Sequence, residues 1–282
     1  MNIDAILHFI DEDIKSFRSV HGGDINHAYC LQAPKKKFFL KVNNHSRFPQ
    51  MFEKEKEGLN ALQNFFSGSV PAVIHTGIAA DNQFILMDWI EKGKPAQAFW
   101  GNFGAALATM HHIPQEHFGW HNDNYIGSLA QKNTISDVWH AFYAEMRIMP
   151  LIEALFNQKS INTNDVKSAE SFCKELKNIF PLEAPSFLHG DLWSGNFMVA
   201  IDGNAAIYDP AVYYGHREMD IAMTKLFGGF QNEFYNAYSN AYPLEPGWEK
   251  RLPYAQLYPL LVHALLFGGH YVQSVRAVIN QF

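Results

Sequence analysis

At 282 residues the chain is long enough for one large or two modest domains with substantial cores. Hydrophobic residues make up 48% and charged residues 18%, the balance of a folded protein and not of a disordered one. A net charge of -6 offers no basic footprint for nucleic acid, and two cysteines, Cys30 and Cys173, allow neither a disulfide framework nor a Cys-based zinc site. The cysteine usage fits a reducing cytoplasm. Met1 to Asp13 is acidic and amphipathic, with no basic and apolar stretches of a signal peptide. The most apolar segment, Leu257 to Phe267, contains Pro259 and His263 and is too short to span a membrane, so a soluble cytoplasmic protein is expected.

In chain order, Ile3, Ile6, Leu7 and Ile10 recur at helical spacing and predict a short amphipathic helix over 2–10. A β-rich stretch follows. Phe17 and Val20 lead into His21-Gly22-Gly23-Asp24-Ile25-Asn26 and then Ala28-Tyr29-Cys30-Leu31, a strand–glycine loop–strand hairpin. After a turn at 34–37, Phe38-Phe39-Leu40-Lys41-Val42 reads as a strand that sets Lys41 on the face of Phe39, opposite Phe38, Leu40 and Val42. A helix is predicted over 49–66, with Pro49 in its first turn and Phe52, Leu59, Leu62 and Phe66 at its period. Strands over 70–78 and 84–90 complete the segment. Glu91-Lys92-Gly93-Lys94-Pro95 is polar and turn-rich and marks a boundary. Beyond it helices are predicted over 97–112, 135–157, 163–178, 217–227, 231–241 and 249–281, interrupted by a loop over 118–128 and a hairpin near 197–208. No internal repeat or low-complexity segment is present.

The stretch Leu188-His189-Gly190-Asp191-Leu192-Trp193-Ser194-Gly195-Asn196-Phe197 carries the chemistry. Asp191 and Asn196 stand in a short loop. Phe197, Met198 and Val199, a turn at Asp202–Gly203, and Ala205 to Tyr208 form a hairpin that ends at a second acid, Asp209. The protein-kinase loop H-R-D-x-x-x-x-N has the same spacing, and its metal-binding Asp follows a similar hairpin. An acceptor hydroxyl must be oriented and its proton accepted by a carboxylate in line with the γ-phosphate, for which Asp191 is the candidate. Magnesium prefers oxygen ligands, and Asn196 and Asp209 supply an amide oxygen and a carboxylate. The bland alternative, a turn and a strand-end acid, accounts for each residue alone but not for the order and spacing together.

The remaining signals are individually weak. Gly22-Gly23 permits backbone amides to approach phosphates, although a Gly-Gly between strands is ordinarily only a turn. Lys41 stands where a β3 lysine reaches the α- and β-phosphates. Glu55, one turn into the next helix, can pair with it, but so can Glu53 or Glu57. Phe84 to Ile90 runs into the boundary, so backbone groups of Asp88 and Ile90 can meet an adenine edge, with the Met87 side chain behind the ring. His111, His112, His117 and His121 lack the i, i+4 pairing of H-E-x-x-H and do not predict zinc. Glu218 and Asp220 read as acids at a helix N-terminus, and Asp220 can also brace the catalytic loop.

The chain resembles the fructosamine kinase family (fructosamine-3-kinases and ketosamine-3-kinases), relatives of the aminoglycoside and choline phosphotransferases. The resemblance runs through Gly22-Gly23-Asp24-Ile25-Asn26, Phe39 to Asn43, Met51 to Glu55, Phe118-Gly119-Trp120 with Asp123-Asn124, and Leu188 to Asn196. It continues through Asp209-Pro210-Ala211-Val212-Tyr213-Tyr214-Gly215, Arg217-Glu218-Met219-Asp220, Leu226 to Phe230, Gln256-Leu257-Tyr258 and Leu266 to Gly269. It implies ATP- and Mg2+-dependent phosphorylation of the sugar 3-hydroxyl of ketosamines, as small molecules or on glycated protein lysines, an activity that serves deglycation. It also favours Glu55 as the partner of Lys41, places Ile25 and Asn26 with the glycine loop at the nucleotide, and suggests that Trp193 packs on the sugar–amine acceptor. Some relatives carry a cysteine in the glycine loop; here it reads Gly-Gly-Asp, so redox control by a loop disulfide is not expected. His216 stands where relatives often have Asp.

The expectation is therefore an α+β, bilobal protein-kinase-like fold: a nucleotide-binding β-rich lobe over 1–90, a hinge over 91–95, and a helical lobe over 96–282 carrying the catalytic loop and acceptor site. Two other readings stay open. One is a phosphotransferase for another small alcohol, such as an aminoglycoside or a choline-like acceptor. The other is a non-catalytic nucleotide-binding scaffold, against which the intact Lys41, Asp191, Asn196 and Asp209 argue.

Overall fold

Strict alternation along the β3 stretch builds the centre of the first lobe. In the computed structural model, which describes residues 3–20 and 25–282 apart from the side chain of Asp4, Phe38, Leu40 and Val42 are fully buried on one face of strand β3 (Lys37–Asn44). The expected glycine-loop tip, His21 to Asp24, lies outside the described residues. Strands β1 (Ser16–Val20), β2 (His27–Gln32), β3, β4 (Val73–Ala79) and β5 (Asn82–Asp88) form one antiparallel sheet in the order β1-β2-β3-β5-β4. Helix α1 (Ile3–Leu7) covers one face, packing Ile6 against Phe38, Leu40, Val42 and Phe84. Helix α2 (Met51–Phe65) lies on the other face, where Phe52 and Leu59 pack against Ile85 and Met87. Its last turns reach further: Leu62 and the following Phe66 join a core that belongs to the helical lobe, so α2 ties the two lobes together.

The chain leaves the sheet at Asp88 and enters α3 (Phe99–His111). The polar stretch between them is stitched to the second lobe, with Gly93 N–H donating to Val199 O (2.9 Å) and Ala96 N–H to Gly203 O (3.1 Å). Two short strands form a hairpin, β6 (Asn124–Ile126) inside the loop expected over 118–128 and β7 (Leu129–Gln131) just past its end. The helix expected over 135–157 starts later and is not uniform. It comprises α4 (Trp139–Phe142), a π-helical turn over Tyr143–Ile148 and α5 (Met149–Asn157). The π turn carries Arg147, whose buried guanidinium lies 4.2 Å from the Tyr213 ring centre and donates to Asn133 Oδ1 (2.6 Å).

Helix α6 (Thr163–Ile179) begins at a capping box between Asn162 and Asp165, the reciprocal arrangement that satisfies two end N–H groups. Strand β8 (Ser186–Leu188) pairs with β11 (Tyr213–Gly215), and β9 (Phe197–Val199) with β10 (Ala205–Ile207). These pairings hold the loop 189–196 and the segment 208–212 side by side. Helices α7 (Glu218–Leu226) and α8 (Asn232–Ala241) follow. The single helix expected over 249–281 is instead three: α9 (Trp248–Ala255), α10 (Leu257–Phe267) and α11 (His270–Ile279). Apolar periodicity runs through the whole segment, but Gly268 and Gly269 both adopt positive φ (64° and 60°), which ends α10 and turns the chain back.

Candidate active site

The loop over 189–196 is held from behind by a carboxylate. Asp220, in the first turn of α7, accepts hydrogen bonds from the backbone N–H of His189 (2.8 Å) and of Gly190 (3.0 Å). The Nε2–H of His111, from α3, donates to the same carboxylate (3.1 Å), and Tyr238 hydroxyl lies 2.8 Å from His111 Nδ1. Burial disfavours the Asp220 charge, yet the His111 hydrogen bond and the neighbouring donors outweigh it and hold its pKa below the ordinary aspartate value. His189 is neutral in this arrangement. Burial lowers its pKa, its Nε2–H donates to Tyr208 O (3.1 Å), and its Nδ1 accepts from Asp191 N–H (3.2 Å).

Gly190 takes φ +82°, and a Cβ there would overlap the Ala211 carbonyl oxygen. Gly190→Ala is expected to lower the Tm by about 5 °C or more, from strain of about 2 kcal/mol at a left-handed position plus the overlap. An unchanged melting curve would show that the loop is not clamped in this way.

At the front of the loop, Asn196 Nδ2 donates to Asp191 O (2.8 Å) and to Asp191 Oδ2 (2.9 Å). The amide group therefore points its nitrogen at the carboxylate, leaving Oδ1 as the atom it can offer elsewhere. Burial pushes the Asp191 carboxyl up to about 7; the Asn196 hydrogen bond opposes this, and Asp209 and Asp220 add to it.

Lys41 is buried in the cleft, with Nζ 2.6 Å from Glu55 Oε1 and 2.5 Å from Asp209 Oδ1. Among Glu53, Glu55 and Glu57, only Glu55 reaches it; Glu57 instead accepts from Asn122 Nδ2 (3.0 Å). Burial works against the Lys41 charge, but Asp209 and Glu55 together hold its pKa above the ordinary lysine value. Burial raises the Glu55 pKa, against the pull of Lys41. Asp209 adopts φ 58°, a left-handed conformation that Asp tolerates better than most residues. That turn sets its carboxylate on Lys41 two residues after the hairpin strand ends at Ile207.

Two cavities meet at these residues. One, of about 490 Å³, is lined by Val20, Phe39, Met87, Asp88, Ile90 and Tyr208, and also by Trp193, Asn196 and Asp209. Met87 is buried there, and Asp88 N–H is already committed to Ala72 O (2.9 Å), so this N–H is not open to a ligand. The second cavity, of about 480 Å³, contains Lys41, Glu55, Asp191, Trp193, Asn196 and Asp209 and opens between α2, the β6–β7 hairpin and α10. Ile25 and Asn26 line this second cavity, not the first. Asn26 Oδ1 accepts from Asn43 Nδ2 (2.8 Å). Trp193 borders both; its ring folds back over Gly195 and meets Phe227 edge-on at 5.8 Å.

The structure gives His216 a plain role. Its Nδ1 accepts from Glu218 N–H (3.3 Å) at the entry to α7, the acceptor function a short acid side chain would fill, and the buried ring packs on Trp139 and Phe180. The four other histidines singled out in the sequence do not converge. His111 serves Asp220, His112 stacks on Tyr242 at 4.4 Å, His117 meets Asp137 (2.6 Å), and His121 lies 3.7 Å from Glu57. The sequence weighs His111 only as a metal ligand and does not point to its support of Asp220, nor to Tyr238, Arg47, Lys54, Tyr125 or His263, all of which shape the site or its support.

A twisted antiparallel sheet set over a helical lobe, with the lysine–acid pair and the D-x-x-x-x-N loop facing each other across the cleft, defines the kinase-like phosphotransferase fold. An aminoglycoside phosphotransferase in ternary complex with AMP-PNP and hygromycin B shares that fold, at a TM-score of 0.64 over 99% of this chain and 98% of that one, with 14% identity. Within this class the chain belongs to the fructosamine kinase family, whose sequence profile matches residues 5–282. A protein of Enterococcus faecium named a probable ketoamine kinase is 38% identical over 93% of this chain and 94% of its own. A crystal structure from Haemophilus somnus, provisionally named a fructosamine-3-kinase, matches with a TM-score of 0.87 at 29% identity, covering 98% of this chain and 94% of that chain. No helix among the described residues is long and apolar enough to cross a membrane.

Proposed function

We propose that this chain transfers the γ-phosphoryl group of ATP to the sugar 3-hydroxyl of a ketosamine. Family membership supports the reaction class. The observation that carries the reading is that Asn196 and Asp209 line both cavities, with Asp191 and the Lys41–Glu55 pair beside them in the second. The cavity beside Met87, Asp88 and Ile90 takes the adenine, with the Glu91–Pro95 stretch as the hinge between a lobe over 1–90 and a lobe over 96–282. The second cavity takes the acceptor.

Asp191 accepts a hydrogen bond from the acceptor hydroxyl and orients its oxygen toward phosphorus. As the new O–P bond forms and the bond to the ADP oxygen breaks, the hydroxyl proton passes to the Asp191 carboxylate. A carboxyl raised to about 7 suits a group that must take up a proton near neutral pH. Asn196 holds that carboxylate in one orientation through its Nδ2. Lys41, fixed by Glu55, places positive charge at the phosphates, and Ile25 and Asn26 line the same cavity as that lysine. Trp193 presents its face to the sugar–amine.

The donor set fits magnesium: Asn196 Oδ1 is left open by the commitment of Nδ2 to Asp191, and Asp209 keeps one carboxylate oxygen beyond the Oδ1 that holds Lys41. Bound there, the cation would neutralise charge on the phosphate oxygens.

The test is ADP release by the purified chain with ATP and magnesium, against ketosamines of fructose and ribulose, glycated protein, an aminoglycoside and choline. Ketosamine-dependent release supports the reading. Release only with the aminoglycoside or choline overturns the substrate, and ATP binding without release by any acceptor favours a scaffold.

A further inference from the structure

The acceptor cavity has two unlike walls. Val262, His263, Leu266 and Phe267, from α10, make one side largely apolar and aromatic. The opposite side carries Arg47, just before α2, and Lys54, on its first turns. The carboxylates that line the same cavity are Glu55, Asp191 and Asp209, and two of these already hold Lys41.

Arg47 and Lys54 have no such partner: among the described residues neither lies within ion-pair distance of an acid. Arg47 sits 5.0 Å from the centre of the Phe48 ring, and Lys54 5.6 Å from that of Tyr125. The nearby acids are taken. Asp123 holds Lys132 (2.8 Å) and accepts from Asn133 N–H (2.9 Å), and Glu57 accepts from Asn122. The segment is also anchored to the β6–β7 hairpin, because Tyr125 hydroxyl donates to Pro49 O (3.0 Å), and it is held locally by Arg47 N–H donating to Asn44 Oδ1 (2.7 Å). A chain of net charge -6 thus keeps two cations on one wall of its acceptor cavity without a direct ion pair among the described residues, Lys54 feeling Asp123 only at longer range.

Resting on the ketosamine reading above, we propose that Arg47 and Lys54 form an anion subsite that selects acceptors bearing a carboxylate or phosphate beside the sugar–amine. Two sources supply that chemistry: the carboxylate of a free amino acid on which the ketosamine is built, or a phosphate already on its sugar. A ketosamine on a lysine within a protein has its carboxyl tied up in the backbone and lacks the first.

The experiment compares the wild-type chain and the Arg47→Gln/Lys54→Gln double variant with three adducts: the fructose ketosamine of glycine, that of glycinamide, and the 6-phosphofructose ketosamine of glycinamide. In the wild type, KM for at least one anionic adduct is expected about tenfold below that of the neutral one. Which adduct shows the advantage identifies the source. In the double variant the gap is expected to close to about twofold or less while KM for ATP stays unchanged. Equal KM for all three adducts in the wild type overturns the subsite and leaves the ketosamine reading standing. A rise in KM for ATP in the variant, with the adduct preference intact, reassigns the pair to the nucleotide and also overturns it. No turnover of any adduct removes both.

Discussion

Asp191→Asn is expected to lower turnover by about a thousandfold while leaving nucleotide affinity close to that of the wild type. The magnitude follows from the loss of a positioned general base, which contributes about 10² to 10⁴ in rate. The substitution is nearly isosteric. The new side chain can still accept from Asn196 Nδ2 through its own Oδ1, so the 2.9 Å contact that orders the loop survives. It also removes one of the acids crowded near Asp209 and Asp220, a change that does not threaten the fold. The nucleotide-side cavity, lined by Met87, Asp88, Ile90 and Tyr208, does not include Asp191, which is why nucleotide binding is expected to hold. Single-turnover kinetics alongside an equilibrium nucleotide titration separates the two effects. Turnover within about tenfold of the wild type would remove Asp191 from the base role.

Asp209→Asn has the second largest expected effect and acts on a different step. Asn tolerates the left-handed φ of 58° nearly as well as Asp, so the backbone is spared. What is lost is charge. Among the described residues Lys41 then retains only Glu55 as a carboxylate partner, and the proposed magnesium set is reduced to neutral oxygens. Weakening of magnesium-dependent nucleotide binding by about tenfold to a hundredfold is expected, on the scale seen when support for a metal site is removed. The check is a magnesium titration at fixed nucleotide, followed by calorimetry. A midpoint equal to that of the wild type would mean that Asp209 does not hold the cation.

What the amino-acid order discloses here follows the range of the interactions. The Asp191–Asn196 relation spans five positions of one loop, and its spacing is visible because both side chains serve the same loop geometry. Lys41 is legible as an inward-facing lysine because Phe38, Leu40 and Val42 alternate with it, so the period of the strand alone sets its face. Its contact with Asp209 joins positions 168 apart and has no local signature. Asp220 bracing the loop is one of the two readings that its place at the start of a helix allows, and the hydrogen bonds from His189 and Gly190 bear it out, whereas His111, which holds Asp220 from another helix, looks like an ordinary helix residue.

Misread boundaries have similar physical causes. The 249–281 stretch keeps a helical apolar rhythm across Gly268–Gly269, and only the backbone angles of that pair break it. The π turn over Tyr143–Ile148 inserts no residue type that a helix would refuse. Ile25 and Asn26 follow the glycine loop in sequence yet line the second cavity, beside Lys41 and Asp191, and not the one beside Met87.

The central claim, phosphoryl transfer from ATP to the ketosamine 3-hydroxyl, is tested most directly by locating the phosphate on the product. The chain is incubated with ATP, magnesium and a fructose ketosamine, and the product is read by phosphorus–proton correlation NMR. A single phosphorus signal coupled to the proton on sugar carbon 3, absent with Asp191→Asn, is the predicted result. A phosphate on any other sugar oxygen, or ADP and free phosphate with the ketosamine unchanged, would contradict it.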